Sequence, residues 1–266
     1  MAAPAAPFTA ADLESTLAAI RDTAGEAQRA VDRIINAGEA ALRVLPGVFG
    51  NELRDGLARL RRMFDDDMRE LAELIAQAGS PETLRSTGAV WAGDIGGLVS
   101  RLAGMATLNG IRADDYWSGV AAEAYRSTLP AQAAALTTVK AVGDEVDTTL
   151  NALASAIIRF WFAVAVALVG FVVAVASAVA TASTGVGAPV GITIAIAAVG
   201  ATAVAVNEAV TDLTTITTDI RDQAAGLQRR LTNDTAFPAG RWPRSTTPIS
   251  GDGSISDGDD TDWHLK

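Results

Sequence analysis

Between Phe160 and Asn207 the chain runs for 48 residues without a charged side chain. The run is interrupted at Ser183-Thr184-Gly185-Val186-Gly187-Ala188-Pro189-Val190-Gly191. On either side lie Phe160–Thr181 and Val186–Val206, built from Ala, Val, Ile, Leu and Phe. Twenty-odd residues rising 1.5 Å each make a helix of about 30 Å, the thickness of a bilayer's hydrocarbon core. Gly and Pro in the middle reverse the chain and stop either helix from running on. The stretch is therefore a hydrophobic helical hairpin, and two environments satisfy it. Ala contributes little to membrane insertion beside Leu, Ile or Phe, so the inside of a helical bundle or oligomer suits it as well as lipid does. Arg159 followed by Phe160, Trp161 and Phe162 has the composition of an interfacial anchor, and equally that of a core cluster.

A chain of 266 residues can build a sizeable core in one or two domains. Half of it is hydrophobic (49%) but only 5% is aromatic, so that core is aliphatic and rich in Ala, which favours close-packed helices over a β-sandwich. The net charge of −10, with no basic stripe, argues against nucleic-acid binding. There is no Cys, which removes disulfides, thiolate chemistry and Cys-based metal sites. Residues 1–8 have neither a positive segment nor an apolar one, so no cleavable signal peptide is expected.

Taken in order, residues 1–8 read as a disordered N-terminus and residues 9–80 as an antiparallel helical hairpin. Thr9 is placed to cap the first helix, with Asp12 in its first turn. Leu13, Leu17, Ile20, Ala24, Ala27, Val31, Ile34, Gly38, Ala41 and Leu45 then recur in steps of four and three, a heptad seam ended by Pro46-Gly47. A second seam, Leu53, Leu57, Leu60, Phe64, Leu71, Leu74 and Ala78, closes at Gly79-Ser80-Pro81. Asp65-Asp66-Asp67 breaks it at Asp67, as a solvated face would. Residues 81–115, with six Gly, read as a connector carrying one short helix near Ile95–Ala106.

Residues 116–231 contain a long seamed helix with Tyr125, Leu129, Gln132, Leu136, Val139, Gly143, Val146, Leu150, Leu153 and Ile157, expected to kink at Pro130. It leads into the apolar hairpin (160–207), beyond which the seam resumes at Val206, Val210, Leu213, Thr217, Ile220, Ala224, Leu227 and Leu231. The flanking helices must be antiparallel. The expected architecture is all-α: long antiparallel helices in a bundle or coiled-coil stalk with an apolar hairpin at its tip. Residues 232–266 read as a disordered acidic tail, within which Phe237, Trp242 and Trp263 could dock onto the body.

The long helix is preceded by Asp114-Asp115-Tyr116-Trp117-Ser118-Gly119. Trp117 and Gly119, followed by a helix that opens with Val120 and carries Tyr125, resemble the turn signature of the Trp-x-Gly (WXG) family, the small helical-hairpin proteins of type VII secretion in actinobacteria. Asp114–Ile157 resembles the second half of such a domain, and Trp91-Ala92-Gly93 repeats the tripeptide spacing outside that context. The resemblance implies a non-enzymatic protein that works by helix–helix assembly, with itself or a helical partner, and export without a signal peptide. One departure stands out. The family's export signal, a Tyr with Asp or Glu four positions on, is missing, because Tyr116 reaches Val120 and Tyr125 reaches Leu129. Localisation is thus open between secretion by that route and the cytoplasm, and membrane association is open in either case.

Enzymatic chemistry finds no support. His264, the single His, lies in the acidic tail read as disordered, where it is a solvated residue rather than a catalytic base or ligand, and without a second His or any Cys there is no Cys–His pair and no zinc set. No cofactor, metal or small-molecule substrate is expected, since Gly185, Gly187, Pro189 and Gly191 belong to a hairpin tip rather than to a dinucleotide loop, which would need a preceding strand. A second class also fits. Two seamed helices flanking an apolar hairpin resemble the layout of cytolysin-A-type α-helical pore-forming toxins, in which a soluble form hides the apolar element until a membrane or an oligomer draws it out.

Overall fold

The structure is a computed structural model that describes residues 10–43, 48–107, 120–184, 187–233, 236–237 and 240–244. Of these, 92% are helical and none lies in a strand. The helices are α1 (Ala10–Leu42), α2 (Val48–Ala76), α3 (Pro81–Ala89), α4 (Gly96–Met105), α5 (Val120–Ala182) and α6 (Ala188–Asn233), with a π-helical stretch, Val90–Ile95, between α3 and α4. The all-α architecture of long antiparallel helices is as expected. The chain divides into two compact units, residues 1–82 with 153–218, and residues 83–152 with 219–266.

The first unit is a four-helix bundle of α1, α2, the second half of α5 and the first part of α6. Both predicted seams of the N-terminal hairpin point into it: Leu13, Leu17, Ile20, Ala27, Val31, Ile34 and Ala41 from α1, and Leu53, Leu57, Leu60, Phe64 and Leu71 from α2, are all buried. The two helices are antiparallel, because Gly38 near the end of α1 meets Leu57 near the start of α2, while Leu13 and Leu17 share a cluster with Leu71. Pro46-Gly47, the predicted turn, and Thr9 lie outside the described residues.

What these seams bury is the apolar hairpin. Ala27, Ala30, Val31, Ile34, Leu57, Leu60 and Phe64 form one continuous core with Phe171, Val175, Ala178, Ala188, Ile192, Ala195 and Val199. Phe64 and Phe171 stack with centroids 5.7 Å apart and planes 17° from parallel. At the other end, Leu13, Leu17, Ile20 and Leu71 enclose Phe160, Trp161, Val164, Leu168 and Ala209. The expected apolar tip is therefore no free tip. An amphipathic hairpin has little to bury within itself, and the uncharged hairpin offers it an apolar face, each fully buried aliphatic or Phe side chain being worth about 1.5–3 kcal/mol.

Two glycines set the approach of α5 to α6 at the turn. A Cβ on Gly191 would lie 2.6 Å from the Ala178 carbonyl oxygen, and one on Gly187 would lie 2.4 Å from that of Thr181. The Thr184 hydroxyl ties the turn, donating to the Thr181 carbonyl (2.9 Å) and accepting from the Gly187 N–H (3.1 Å).

The second unit contains α3, the π-helical stretch, α4, the first half of α5, the last part of α6 and the described part of the tail. The connector predicted over 81–115 is instead helical from Pro81 to Met105. Its glycines do not break the helix because some of them are contact points. A Cβ on Gly88 would lie 2.5 Å from the Asp147 carboxylate, and one on Gly96 3.0 Å from the Lys140 side chain. From the opposite side, a Cβ on Gly143 of α5 would come within 2.9 Å of the Trp91 carbonyl oxygen, in the π-helical stretch. The two long helices are antiparallel here as predicted: Arg230 donates to Glu145 (2.8 Å) and Thr149 to Gln223 (3.0 Å). α5 continues through Pro130. From the tail, Phe237 is buried against Ala135 and Val139, Trp242 rests on Phe237, and Gln132 donates to the Pro243 carbonyl (3.1 Å). Residues 245–266, the rest of the acidic tail, lie outside the described residues, as does Trp263.

Candidate functional site

The apolar hairpin is covered on one side only. Along α5 the side chains of Val164, Leu168, Phe171, Val175 and Ala178 point into the bundle. The intervening positions, Phe162, Ala163, Val166, Val169, Gly170, Val173, Ser177 and Ala180, are exposed. Phe162 is 68% exposed and Val173 66%, and Val166, Val169, Val190 and Val204 are each more than half exposed. Helical periodicity puts these positions on one face, because residues three and four apart are neighbours on a helix. By length and composition α5 and α6 could each cross a membrane, and in the most apolar stretch of each only 28% is buried. Scattered surface Val is ordinary; here the exposed apolar positions run along two adjacent helices with no charge among them.

At the Arg159 end of this face lies a groove of about 480 Å³ between α5 and α6. Phe162, Ala163 and Val166 form its α5 side, and Ala205, Ala209 and Leu213 its α6 side. Its charged groups are few and ordered: Arg159 on the α5 wall, Glu208 and Asp212 on the α6 wall. None of the three has an ion-pair partner among the described residues.

The sequence-predicted residues fall in different places. The anchor cluster is divided. Phe160 and Trp161 are core, their rings edge-to-face at 4.9 Å, and the Trp161 indole N–H donates to the Ala78 carbonyl (3.0 Å). Phe162 and Arg159 stand outside. Adjacent positions on a helix point about 100° apart, so four consecutive residues cannot share a surface. Gly187, Pro189 and Gly191 are at the hairpin turn and do backbone work there, while Gly185 lies outside the described residues. So do Trp117 and Gly119. Tyr125 is half-buried in the first turns of α5.

A second feature is a cavity of about 50 Å³ between α2, α5 and α6, lined by Phe64, Met68, Leu71, Val164, Leu168, Val199, Val206 and Asn207. Asp67 faces it. Half-buried against apolar walls and flanked by Glu70 and Asp66, its carboxyl is pushed up to about 6, chiefly because burial disfavours the ionised form and secondarily because the neighbouring acids repel it. Asp67 breaks the α2 seam because the helix turns that position toward α6 rather than into open solvent. Its neighbour Asp66 is solvated and pairs with Arg69. Among the described residues no group of three or more His, Cys, Asp or Glu is placed to hold a metal ion.

Val166, Val169 and Val173 escape sequence reading as a surface, since a run that is apolar all round does not announce which face stays uncovered. Compared with protein-family models, with curated proteins and with solved structures, the chain gives no match.

Proposed function

We propose that this is a non-enzymatic helical protein of the Trp-x-Gly, type VII secretion-associated kind, which acts through assembly on the open face of its apolar hairpin. The observation that carries the reading is the one-sided cover of that hairpin: α1 and α2 bury one face, and the other presents exposed Phe162, Val166, Val169, Val173, Val190 and Val204 with no charge among them. An apolar face of this extent is costly in water and gains when something covers it. The Trp117-Ser118-Gly119 spacing, followed in sequence by the long helix α5, supports the family side of the proposal.

The test combines sedimentation velocity with liposome flotation of the full chain. Self-association, or flotation with vesicles, supports an assembly face. A monodisperse monomer that stays at the bottom of the gradient overturns it. Replacing the whole hairpin is uninformative, because it forms half of the first unit's core; Val173→Asp, which alters only the open face, is the right control.

The pore-forming reading keeps one specific observation in its favour. An amphipathic helical pair shields an uncharged hairpin whose helices are each long enough to span a bilayer, the stored arrangement a soluble pore-former requires. Release of dye from vesicles, suppressed by a disulfide tying α2 to α5, is its signature.

A further inference from the structure

We infer that the open face of the hairpin is a self-complementary surface whose occupant is a second copy of this chain, packed about a two-fold axis that runs along the helices. The inference rests on the proposed assembly role of this face and names its partner.

Charge placement is the first argument. Arg159 stands on the α5 wall of the groove and Glu208 and Asp212 stand on the α6 wall, at the same level. A two-fold axis along the helices, lying between the two copies, sets α5 of one copy over α6 of the other with their ends level. Arg159 of each copy then faces Glu208 and Asp212 of the other, and the contact is made twice, as an isologous interface requires. A two-fold axis across the helices would instead set α5 on α5 and leave all three charges unmatched. An anionic lipid surface would meet one Arg and two carboxylates, an unfavourable balance.

Glycine placement is the second. Gly inside a helix is less stable than Ala there, and in this chain Gly191 and Gly143 are accounted for by close internal contacts. Gly170 and Gly200 are not: a Cβ at either would meet nothing within 4 Å, as is also so of Gly93, Gly97 and Gly104 in the second unit, but these two alone lie on the uncharged hairpin, level with each other. Gly191 set against Ala178, and Val166 opposite Ala205 across the groove, put Gly170 level with Gly200. The same two-fold axis brings Gly170 of one copy against Gly200 of the other, which lets two helix backbones come close between flanking rigid Val side chains. Lipid chains make no such demand for a missing Cβ.

The experiment is sedimentation velocity on the full chain, wild type beside Gly170→Leu, Arg159→Glu, and Arg159→Glu combined with Glu208→Arg and Asp212→Arg, with far-ultraviolet circular dichroism to confirm that each folds. The wild type is expected to dimerise. Gly170→Leu, whose side chain enters open space within one copy, should keep its helicity and weaken the dimer by at least about tenfold. Arg159→Glu should also weaken it, and the triple exchange should restore it. Flotation with phosphatidylcholine–phosphatidylglycerol vesicles separates the alternatives. A monomeric wild type that floats, and floats better as Gly170→Leu, makes lipid the occupant; the second copy then falls while the assembly-face reading stands. A monomer that does not float overturns both. A dimer indifferent to Gly170→Leu and to the charge exchange overturns this face as its interface.

Discussion

The indole N–H of Trp161 donates to the carbonyl of Ala78, 3.0 Å away, from a ring buried between α2 and α5. Ala78 lies just past the end of α2, where carbonyls have no intrahelical partner, and Gly79 follows at φ +77°, the left-handed geometry that ends a helix. The hydrophobic hairpin thus supplies the hydrogen bond that closes the N-terminal one.

Trp161→Phe keeps most of the buried ring and leaves the Ala78 carbonyl short of a donor, which should cost about 1–2 kcal/mol. Trp161→Ala should cost about 3–5 kcal/mol through the cavity it opens. Urea unfolding followed by circular dichroism measures both, and equal losses would mean that the hydrogen bond, not the packing, carries the contact.

Asp67 makes stability depend on pH in the direction opposite to a salt-bridged carboxylate. Its folded-state value is raised from 3.8 to about 6, so the folded form holds the proton more tightly and stability falls as pH rises from about 4 to 6. Glu70 and Asp66 repel its charge from α2, while α5 and α6 present only apolar and neutral polar groups to it. Asp67→Asn should therefore stabilise the protein at pH 7 by about 1 kcal/mol, a figure reduced for solvent screening of this half-exposed group, and should have little effect at pH 4. Melting temperatures of both proteins at the two pH values test this; a gain that is equal at both would refute it.

Two neighbouring valines of α5 should behave in opposite ways. Val175 is fully buried and Val173 is 66% exposed. Val175→Asp places an unpaired carboxylate in the core and should abolish cooperative unfolding, the cost being several kcal/mol. Val173→Asp should leave helicity unchanged and stability within about 0.5 kcal/mol of wild type while removing self-association or vesicle binding, read by circular dichroism, sedimentation and liposome flotation.

Glycines in the second unit divide in the same manner. Gly97→Ala, in open space on α4, should stabilise by up to about 1 kcal/mol through helix propensity. Gly143→Ala puts a methyl 2.9 Å from the Trp91 carbonyl oxygen and should destabilise, by about 1–3 kcal/mol. Thermal melts that shift in the same direction for both would contradict these contacts.

The seams of α1 and α2 were legible because amphipathic periodicity names the face each helix hides: Leu13, Leu17, Ile20, Val31 and Ile34 are where a heptad reading puts them. The short helix predicted near Ile95–Ala106 is α4, but the helical stretch before it, Pro81–Ile95, was not legible, because a glycine such as Gly88 looks like a breaker until Asp147 is seen against it. In the first half of α5 the predicted seam is only partly the core. Ala135 and Val142, off that seam, are buried, whereas Tyr125, Leu136 and Val146 are half-buried. A helix with neighbours on several sides has no single stripe to hide.

Local patterning alone determined that the chain is helical, where its hairpins reverse and that 48 consecutive residues avoid charge, since helix propensity, Gly and Pro punctuation and the 3.6-residue period act within a few turns. Which side of the uncharged hairpin is core was decided only by tertiary structure. Phe160 and Trp161 went inside and Phe162 outside, and Val175 is buried while Val173 is bare. A uniformly apolar helix carries no moment to orient it, so its orientation is set by the helices that dock on it, here the amphipathic α1 and α2 with faces of their own to bury.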